Sequence, residues 1–280
     1  QMEEQVDEPQ QLQKKVGKNS FQRFGFCYEL YKALVWKGFR NALPIQKKAI
    51  PIVLEGRDAI VSSRTGSGKT LTYVLPLINR LKCHSQIIGA RALILIPTRE
   101  LALQIASVLK DFTRFTDLRY ALLLGGHSYE GQFEVLAANP DIIIATPGRL
   151  MQLLVETDFK LSRVEMLVFD EADSLFEKGF EMQMGEILRR CPVSQKLMFS
   201  ATIPEQLSQF ANSGLRDYVF VKHDVALPEK MSLDFYILRN EEKLSMLLYL
   251  LEQLQDQKVI VFASTRYQVD FLAALISKRQ

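Results

Sequence analysis

Cysteine and histidine are scarce in this sequence. The 280 residues include three of each, and Cys27, Cys83 and Cys191 lie far apart, without the spacing of metal ligands. A small and odd number of cysteines argues against a disulfide framework and against a zinc site, and it favours a reducing compartment. The chemistry of the protein is therefore expected to rest on other residue types.

Long hydrophobic runs are also missing. The longest apolar segments, ALILIP at 92–97 and DIIIAT at 141–146, have the length of a buried strand. A helix that crosses a bilayer needs about 20 apolar residues, so we expect no membrane partner. The sequence begins at Gln1 without a signal-peptide pattern, and we expect it to be an excerpt from a longer protein.

A large net charge of either sign is absent too. The formal net charge is +3, and 48% of the residues are hydrophobic and 24% charged, which is typical of a globular protein. Dedicated nucleic-acid-binding proteins usually have a larger basic excess. Any site for a polyanion must therefore be local.

Apolar segments of strand length alternate with segments of helical spacing. DAIVSS, ALILIP, DIIIAT, EMLVFD and KLMFSA are each followed by an amphipathic segment, which predicts a parallel sheet with helices on both faces. The predicted organisation is a flexible lead-in at 1–20, a first domain at 21–226, a linker at 227–233 and part of a second domain at 234–280. In the second domain, the apolar run at 259–262 predicts a buried strand before a helix.

The segment SSRTGSGKT at 62–70 lies between a predicted strand and a predicted helix, where a phosphate-binding loop belongs. Glycines let backbone N–H groups approach phosphate oxygens, Lys69 would place a charge on the outer phosphates, and the Thr70 hydroxyl would bind Mg²⁺. Ser63 stands where the general pattern has glycine, and a flexible turn with an incidental lysine is the alternative. The predicted ATP-binding residues of this loop are Ser63, Arg64, Thr65, Gly66, Ser67, Gly68, Lys69 and Thr70.

Acidic residues follow another predicted strand, in the segment VEMLVFDEADSLF at 164–176. Ligands in open parallel sheets bind at the carboxyl ends of strands, so we expect Asp170 to hold Mg²⁺ through water and Glu171 to deprotonate an attacking water. Taken alone, the segment is explained equally well by acidic capping of the next helix. Together with the phosphate loop, it predicts half of an ATPase site with Lys69, Asp170 and Glu171 as catalytic residues.

With SGKT at 67–70, DEAD at 170–173 and SAT at 200–202, the sequence resembles the DEAD-box family of ATP-dependent RNA helicases. The resemblance covers residues 21–280, and its further landmarks occur in order: GFRNALPIQ at 38–46, PTRELA at 97–102, GG at 125–126 and TPGR at 146–149. It implies an α/β fold, a RecA-like parallel sheet flanked by helices, followed by the beginning of a second RecA-like domain. Two stretches, 125–150 and 169–180, look most like the nucleolar members that act in large ribosomal subunit assembly.

The resemblance assigns roles to residues of this chain. It implies that Gln46 reads adenine, that Phe39 stacks on the base and that Phe21 braces this segment from upstream. A second set would couple the nucleotide site to the cleft between the domains: Asp173, Ser200 and Thr202. The implied RNA contacts are Pro97, Thr98, Arg99, Gly125, Gly126, Thr146, Pro147, Gly148 and Arg149. These loops would contact phosphates and not base edges, so we expect RNA binding that is independent of sequence and sensitive to salt. Taken alone, Thr98 is explained equally well as a helix cap.

The family implies an enzyme that uses ATP and Mg²⁺ to separate RNA duplexes locally. It further implies RNA, pre-ribosomal particles and assembly proteins as partners, and the nucleus, more narrowly the nucleolus, as the location. Members of the family complete the catalytic site with arginines from the second domain. VIVFASTR at 259–266 matches the first motif of that domain, and no HRxGRxxR-like segment follows, so we expect a truncation within the domain and little turnover.

Two other functions remain open. One is an RNA-binding assembly factor in which ATP acts as the switch of a clamp, without productive unwinding. The other is a P-loop ATPase that acts on DNA or protein, which the joint occurrence of DEAD, SAT and PTRELA disfavours.

Overall fold

The chain divides into two units, residues 1–225 and 226–280. The computed structural model describes the residues 20–126, 129–157, 159–191, 195–223, 232–254 and 257–278. The predicted lead-in except for its last residue, and positions 227–231 of the predicted linker, lie outside these ranges. The predicted domain boundaries stay predictions.

One parallel sheet forms the centre of the first unit. Its strands are β1 (Ala59–Ser63), β2 (Ala92–Leu95), β3 (Tyr120–Leu123), β4 (Ile142–Ala145), β5 (Met166–Phe169), β6 (Gln195–Ser200) and β7 (Val219–His223). They lie in the order β3-β4-β2-β5-β6-β1-β7, and each neighbouring pair is parallel. This confirms the parallel sheet that the alternation of apolar and amphipathic segments predicted.

Helices cover both faces of the sheet. Those described in the first unit are α1 (Tyr28–Trp36), α2 (Pro44–Leu54), α3 (Lys69–Leu81), α4 (Arg99–Phe112), α5 (Tyr129–Ala137), α6 (Pro147–Glu156), α7 (Ala172–Glu177), α8 (Glu181–Arg190) and α9 (Glu205–Gly214). Because side chains alternate along a strand, Val61 joins the apolar core beneath α1 to α4, whereas Ile60 joins the core beneath α6 to α9. Strands buried on both faces explain the continuous apolar runs in the sequence.

The two outermost strands were not predicted. In β3 and β7, buried residues alternate with partly or fully exposed ones, and polar side chains such as Lys222 interrupt the apolar pattern. An edge strand has a neighbour on one side alone, so its burial is incomplete and no continuous apolar run is needed. The sequence signal that identified the central strands is therefore weak at both edges.

The described part of the second unit consists of two helices, α10 (Lys243–Gln253) and α11 (Arg266–Ser277). The predicted strand at 259–262 is wrong, since these residues form no strand and Ile260 and Phe262 are 80% and 91% exposed. A strand exists through its ladder with a neighbour, and no ladder partner occurs among the residues described in this unit. None of the helices described in either unit is long and apolar enough to cross a membrane.

Candidate functional site

The carboxyl ends of the strands bring the predicted motifs to one edge of the sheet. Strands β1, β6 and β5 are neighbours, and they lead into the phosphate loop, the SAT segment and the DEAD segment. Strands β2, β4 and β3 continue the row and lead into PTRELA, TPGR and GG. The edge thus has two halves, one with the predicted ATP residues and one with the predicted RNA residues.

The phosphate loop is closely packed at Gly68, the residue that caps helix α3. Gly68 has φ = 91°, in the left-handed region where side chains are rarely tolerated. A Cβ atom there would lie 2.7 Å from Gln46 Nε2 and 2.7 Å from Leu43 Cδ1. Only glycine therefore allows the loop to turn into the helix at this point.

Gln46 is part of the wall of this loop. Its side-chain oxygen accepts a hydrogen bond from the Leu43 N–H at 2.8 Å, and its amide nitrogen donates to the Gly68 carbonyl at 3.1 Å. The side chain is 2% exposed, so the structure ties it to the phosphate loop.

The ring of Phe39 packs against Phe112 at 5.8 Å, and the structure does not bring it to the loop. Phe21 is buried, and its N–H donates to Arg40, next to Phe39, as the bracing role implies.

Lys69 begins helix α3 and reaches back over the loop. Its ammonium donates to the Ser63 carbonyl. Burial lowers the pKa of Lys69, and the nearby carboxylates of the DEAD segment oppose this effect. The hydroxyl oxygens of Ser63 and Ser67 are buried and have no hydrogen-bond partner among the described residues. Both hydroxyls are sealed within the protein, so the group that this loop presents to a phosphate is the partly desolvated ammonium of Lys69.

Asp170 directly follows strand β5 and is buried, 7% exposed. The Tyr73 hydroxyl donates to one carboxylate oxygen at 2.8 Å, and the Glu171 N–H donates to the other at 3.0 Å. Burial raises the pKa of Asp170, and these two hydrogen bonds oppose the rise. The carboxylate is therefore held in one orientation at the carboxyl end of its strand.

Tyr73 is a site residue that the sequence did not reveal. It lies one helical turn after Lys69, its ring is fully buried, and burial together with Asp170 raises its pKa well above the usual value. A buried tyrosine hydroxyl requires a partner. In the sequence, Tyr73 is the one aromatic residue of α3, a mostly aliphatic helix. Nothing in the sequence indicates which acceptor its hydroxyl would contact.

Glu171 adopts an uncommon backbone conformation. Its φ of 48° lies in the left-handed region, where residues other than glycine are rare and often functional. The residue caps helix α7. Burial and the neighbouring Asp170 carboxylate raise the pKa of Glu171, which makes it a stronger base than a free glutamate.

Asp173 joins the DEAD segment to the loop after β6. One of its oxygens accepts hydrogen bonds from the Ala201 N–H at 3.2 Å and from the N–H and hydroxyl of Thr202, both at 2.9 Å. The Ser200 hydroxyl accepts from the Asp173 N–H at 3.2 Å and donates to the Thr202 carbonyl at 2.6 Å. Burial acts to raise the pKa of Asp173, but its hydrogen bonds outweigh it and hold the pKa below the usual value. The structure thus brings the three predicted coupling residues together.

A cavity of about 570 Å³ lies between the phosphate loop and the acidic segment. Its walls contain Lys69, Thr70, Asp170 and Glu171, so the predicted catalytic and metal-binding residues face one space. Residues of helix α4, including Gln104, form another wall and were not predicted from the sequence. Gln46 and Phe39 do not line the cavity.

In the other half of the edge, Arg99 and the GG loop lie side by side. Arg99 is exposed, and a Cβ atom at Gly126 would lie 3.7 Å from Arg99 Nη1. The Thr98 hydroxyl caps helix α4, since it accepts from the Leu101 N–H at 3.3 Å. Pro97 is buried and presents no side-chain donor. Arg99 and the glycines are exposed and could contact phosphates, and Glu100 beside Arg99 is exposed as well.

The TPGR segment differs from the expectation at Arg149. The resemblance assigns its guanidinium to RNA phosphates, whereas the structure buries the side chain, 8% exposed. Its Nε donates to Gln132 Oε1 at 2.8 Å, and its Nη1 donates to Gln152 Oε1 at 3.3 Å. The guanidinium here orders the loop from within, because a side chain packed in this way has little area left for a ligand. Thr146 and Gly148 are partly exposed, and Pro147 is buried.

Gln132 is a second residue that the sequence did not reveal. It is 3% exposed, accepts from Arg149, and donates from Nε2 to the Leu124 carbonyl at 2.8 Å. Leu124 directly precedes the GG loop, so one side chain links that loop to TPGR. The sequence contained a possible signal, a glutamine in a helix, but not the partners that give it a role.

The fold and this edge define a class of protein, an α/β domain of the P-loop nucleotide-binding type, with a phosphate loop after one strand and acids after another. Residues 43–210 match the family model described as DEAD/DEAH box helicase. The match covers more than half of the chain, so the chain belongs to the DEAD/DEAH box helicase family. The resemblance drawn from the motifs is confirmed.

Curated relatives are similar along nearly all of this chain. The ATP-dependent RNA helicase DDX54 of Mus musculus is 47% identical over 272 residues, which cover 95% of this chain and 31% of that protein. The DEAD-box ATP-dependent RNA helicase 29 of Oryza sativa subsp. indica is 46% identical over 268 residues, 94% of this chain and 32% of that protein. The chain spans about a third of the length of the curated relatives it matches.

Solved structures share the fold. A DEAD box protein from the hyperthermophile Methanococcus jannaschii matches with a TM-score of 0.70 and 30% identity, over 93% of this chain and 70% of that chain. A hypothetical ATP-dependent RNA helicase from Sulfolobus tokodaii matches with a TM-score of 0.63 and 36% identity, over 69% of this chain and 56% of that chain. The predicted RecA-like fold is confirmed.

The residues of the cavity fit ATP and Mg²⁺. Gly66 and Gly68 lie in the cavity wall beside Lys69, and a glycine backbone next to a cation suits phosphate oxygens. The described residues contain no group of three histidine, cysteine or acidic side chains that could hold a metal by themselves. Mg²⁺ is commonly bound by one or two protein oxygens, water and substrate phosphates, so the Thr70 hydroxyl and the Asp170 carboxylate are a fitting donor set.

Proposed function

We propose that this chain is the ATP-binding and RNA-binding part of an ATP-dependent RNA helicase. The observation that carries the proposal is the cavity of about 570 Å³ in which Lys69 and Thr70 face Asp170 and Glu171. A cation and acids around one space suit a phosphate group and its metal ion, and they suit few other ligands. The relatives with the printed names of ATP-dependent RNA helicases support the choice of RNA.

In the proposed site, each side chain has one task. Lys69 and the backbone at Gly66 and Gly68 hold the phosphates, and Thr70 and Asp170 hold Mg²⁺, whose charge neutralises phosphate oxygens. Tyr73 keeps the Asp170 carboxylate in place. Glu171, with its raised pKa, accepts the proton of the attacking water. Asp173 passes the state of the site to the SAT segment through its bonds to Ala201 and Thr202.

RNA is proposed to lie along the half of the edge formed by β2, β4 and β3. Arg99 is the exposed guanidinium of this half, and Gly125 and Gly126 allow the backbone to approach phosphates closely. Arg149 is a positioning residue here, because its side chain is engaged inside the protein. Binding through phosphates alone is independent of sequence and weakens as salt rises.

For the longer protein, we propose a role in ribosome assembly in the nucleolus, with pre-ribosomal particles and assembly proteins as partners. The stretches at 125–150 and 169–180, which look most like nucleolar members of the family, support this role. The similarity to the DDX54 and DBP10 helicases agrees with it.

The proposal is tested by measuring binding of fluorescent ATP and of a short oligouridylate to the 280-residue chain. We expect ATP binding that requires Mg²⁺. We also expect unlabelled RNA to displace the labelled oligouridylate more readily than DNA of the same sequence does. Hydrolysis is measured in parallel, with Glu171→Gln as the blank. Failure to bind Mg·ATP, or equal competition by DNA and RNA, would contradict the proposal.

Replacing Gln132 by leucine should weaken RNA binding by roughly tenfold and leave Mg·ATP binding unchanged. The substitution keeps the volume but removes the hydrogen bonds to Arg149 and to the Leu124 carbonyl, so the GG and TPGR loops lose their link. RNA affinity is measured by fluorescence polarisation at several salt concentrations. Gln209→Leu, an exposed change on helix α9, is the control. Equal RNA affinity for Gln132→Leu and the wild type would show that the link has no role in RNA binding.

A further inference from the structure

A second groove lies at the opposite edge of the sheet. It has a volume of about 780 Å³ and is formed by helices α8 and α9, the segment after α9 and the start of β6. The phosphate loop, DEAD, SAT, PTRELA, GG and TPGR all follow the carboxyl ends of strands, whereas this groove opens at the amino end of β6. The groove is therefore separate from the proposed ATP and RNA sites.

A lysine is buried in the wall of this groove. Lys196 is the second residue of β6 and is 6% exposed. The preceding side chain, Gln195, donates to the Val53 carbonyl at 3.0 Å on the side of helix α2. Because side chains alternate along a strand, Lys196 faces the other side, in the row that continues with Met198 toward α9. This row is otherwise apolar.

The ammonium group of Lys196 has no direct partner within the described part of the chain, and the nearby Asp58 carboxylate accepts from the backbone N–H groups of Lys196 and Arg216 instead. No ion pair and no hydrogen bond of the described residues involves its ammonium group. The ammonium group is not sealed from solvent either. Since Lys196 lines the groove, we infer that the group opens into it. Holding a lysine charge at such a position costs free energy unless an anion offsets it.

The surroundings reinforce the positive charge. The groove is lined by three cationic side chains, Arg189, Lys196 and Arg216, and by one carboxylate, Glu181. The charge of Arg189 is already offset by an ion pair with Glu186 of the same helix. Apolar side chains form the remaining wall, among them Leu188 and Leu215. A ligand that matches this lining carries a negative charge next to an apolar group.

Nucleic acid matches the lining poorly. Binding of single strands relies on aromatic rings with a free face for the bases. Phe210 is the aromatic residue of the groove, and it is 9% exposed, with its ring against Phe169 at 5.9 Å and Phe176 at 5.3 Å. A peptide supplies a carboxylate and an apolar side chain on neighbouring residues, and the groove is large enough for several of them.

We propose that this groove binds an acidic peptide segment of a partner protein, with a glutamate or aspartate side chain paired to Lys196. An apolar neighbour of that side chain packs against Leu188 and Leu215. Partner binding is thereby placed away from the edge that binds nucleotide and RNA, so both can occur together. The proposal does not depend on the nature of the nucleic acid bound at the other edge.

The test is a selection of short random peptides displayed on phage against the 280-residue chain, with counter-selection on Lys196→Met. Methionine keeps the length of the side chain and removes the charge, and unchanged Mg·ATP binding reports that the variant is folded. Selected peptides are then synthesised and titrated. We expect an acidic residue next to an apolar one, and a loss of affinity of about tenfold for Lys196→Met or for the peptide with glutamine in place of glutamate.

Lys82→Met, at the exposed end of helix α3, is the control and should bind the peptides like the wild type. The proposal is wrong if the selection yields no acidic peptides, or if the selected peptides bind wild type and Lys196→Met equally. It is also wrong if a short oligouridylate displaces the peptides from the wild type and its own binding depends on Lys196, because the groove would then be a nucleic-acid site.

Discussion

Replacing Lys69 by methionine should weaken Mg·ATP binding by roughly 30- to 100-fold and leave the first unit folded. The ammonium group sits in the cavity wall, where it donates to the Ser63 carbonyl. When nucleotide binds, we expect phosphate oxygens to replace the Ser63 carbonyl as acceptors for the ammonium group. A hydrogen bond between charged groups in a partly buried site is among the stronger ones. Methionine fills the same space without charge, so the loss is one of electrostatic attraction.

The low pKa of Lys69 does not weaken this expectation. Burial lowers it, but the carboxylates of Asp170, Asp173 and Glu171 oppose the shift, and bound phosphates would add further negative charge. The cation is therefore most stable when the nucleotide is present. Binding of phosphates therefore offsets the desolvation of the ammonium group.

Binding of fluorescent ATP in the presence of Mg²⁺ measures the effect. Lys110→Met, on the exposed side of helix α4, is the matched control and should bind like the wild type. Circular dichroism and urea unfolding report whether the variant is folded. A folded Lys69→Met protein with the affinity of the wild type would place the phosphates elsewhere, and the proposed nucleotide site would be wrong.

The sequence predicted which residues would lie together in the proposed nucleotide site, because their positions follow from local rules. A glycine-rich turn after an apolar strand and acids after another strand must lie at one edge of a parallel sheet. The order of the strands could not be predicted, since it depends on crossovers between distant segments. The structure places β6 between β1 and β5, and this order brings the SAT loop beside Asp173.

Side-chain partners were the second gap. Tyr73 and Gln132 each lie on a helix, and their roles depend on Asp170, 97 residues away, and on Arg149, 17 residues away. Arg149 shows the reverse case, because its motif implied a surface role and the fold buries it. Burial of a polar side chain follows from tertiary packing, which a single sequence does not display.

Replacing Asp173 by asparagine should lower the free energy of unfolding of the first unit by about 2–4 kcal/mol. One carboxylate oxygen accepts three hydrogen bonds from Ala201 and Thr202, and the other accepts from the Ser174 N–H at 3.1 Å. Asparagine has a single acceptor oxygen. Whichever carboxylate oxygen the amide NH₂ group replaces, it would face an N–H donor and could not accept a hydrogen bond from it. The negative charge that strengthens these hydrogen bonds would also be lost.

The same substitution should also separate nucleotide binding from RNA binding. In the wild type, the DEAD segment and the SAT loop are joined through Asp173, so a nucleotide at Lys69 and Asp170 is expected to affect the SAT loop as well. Urea unfolding gives the stability, and RNA affinity with and without Mg·ATP gives the coupling between the sites. Asp217→Asn, an exposed position with positive φ that asparagine accepts readily, is the control. Wild-type stability in Asp173→Asn would mean that these hydrogen bonds do not hold the loop, and unchanged coupling would assign communication between the sites to other residues.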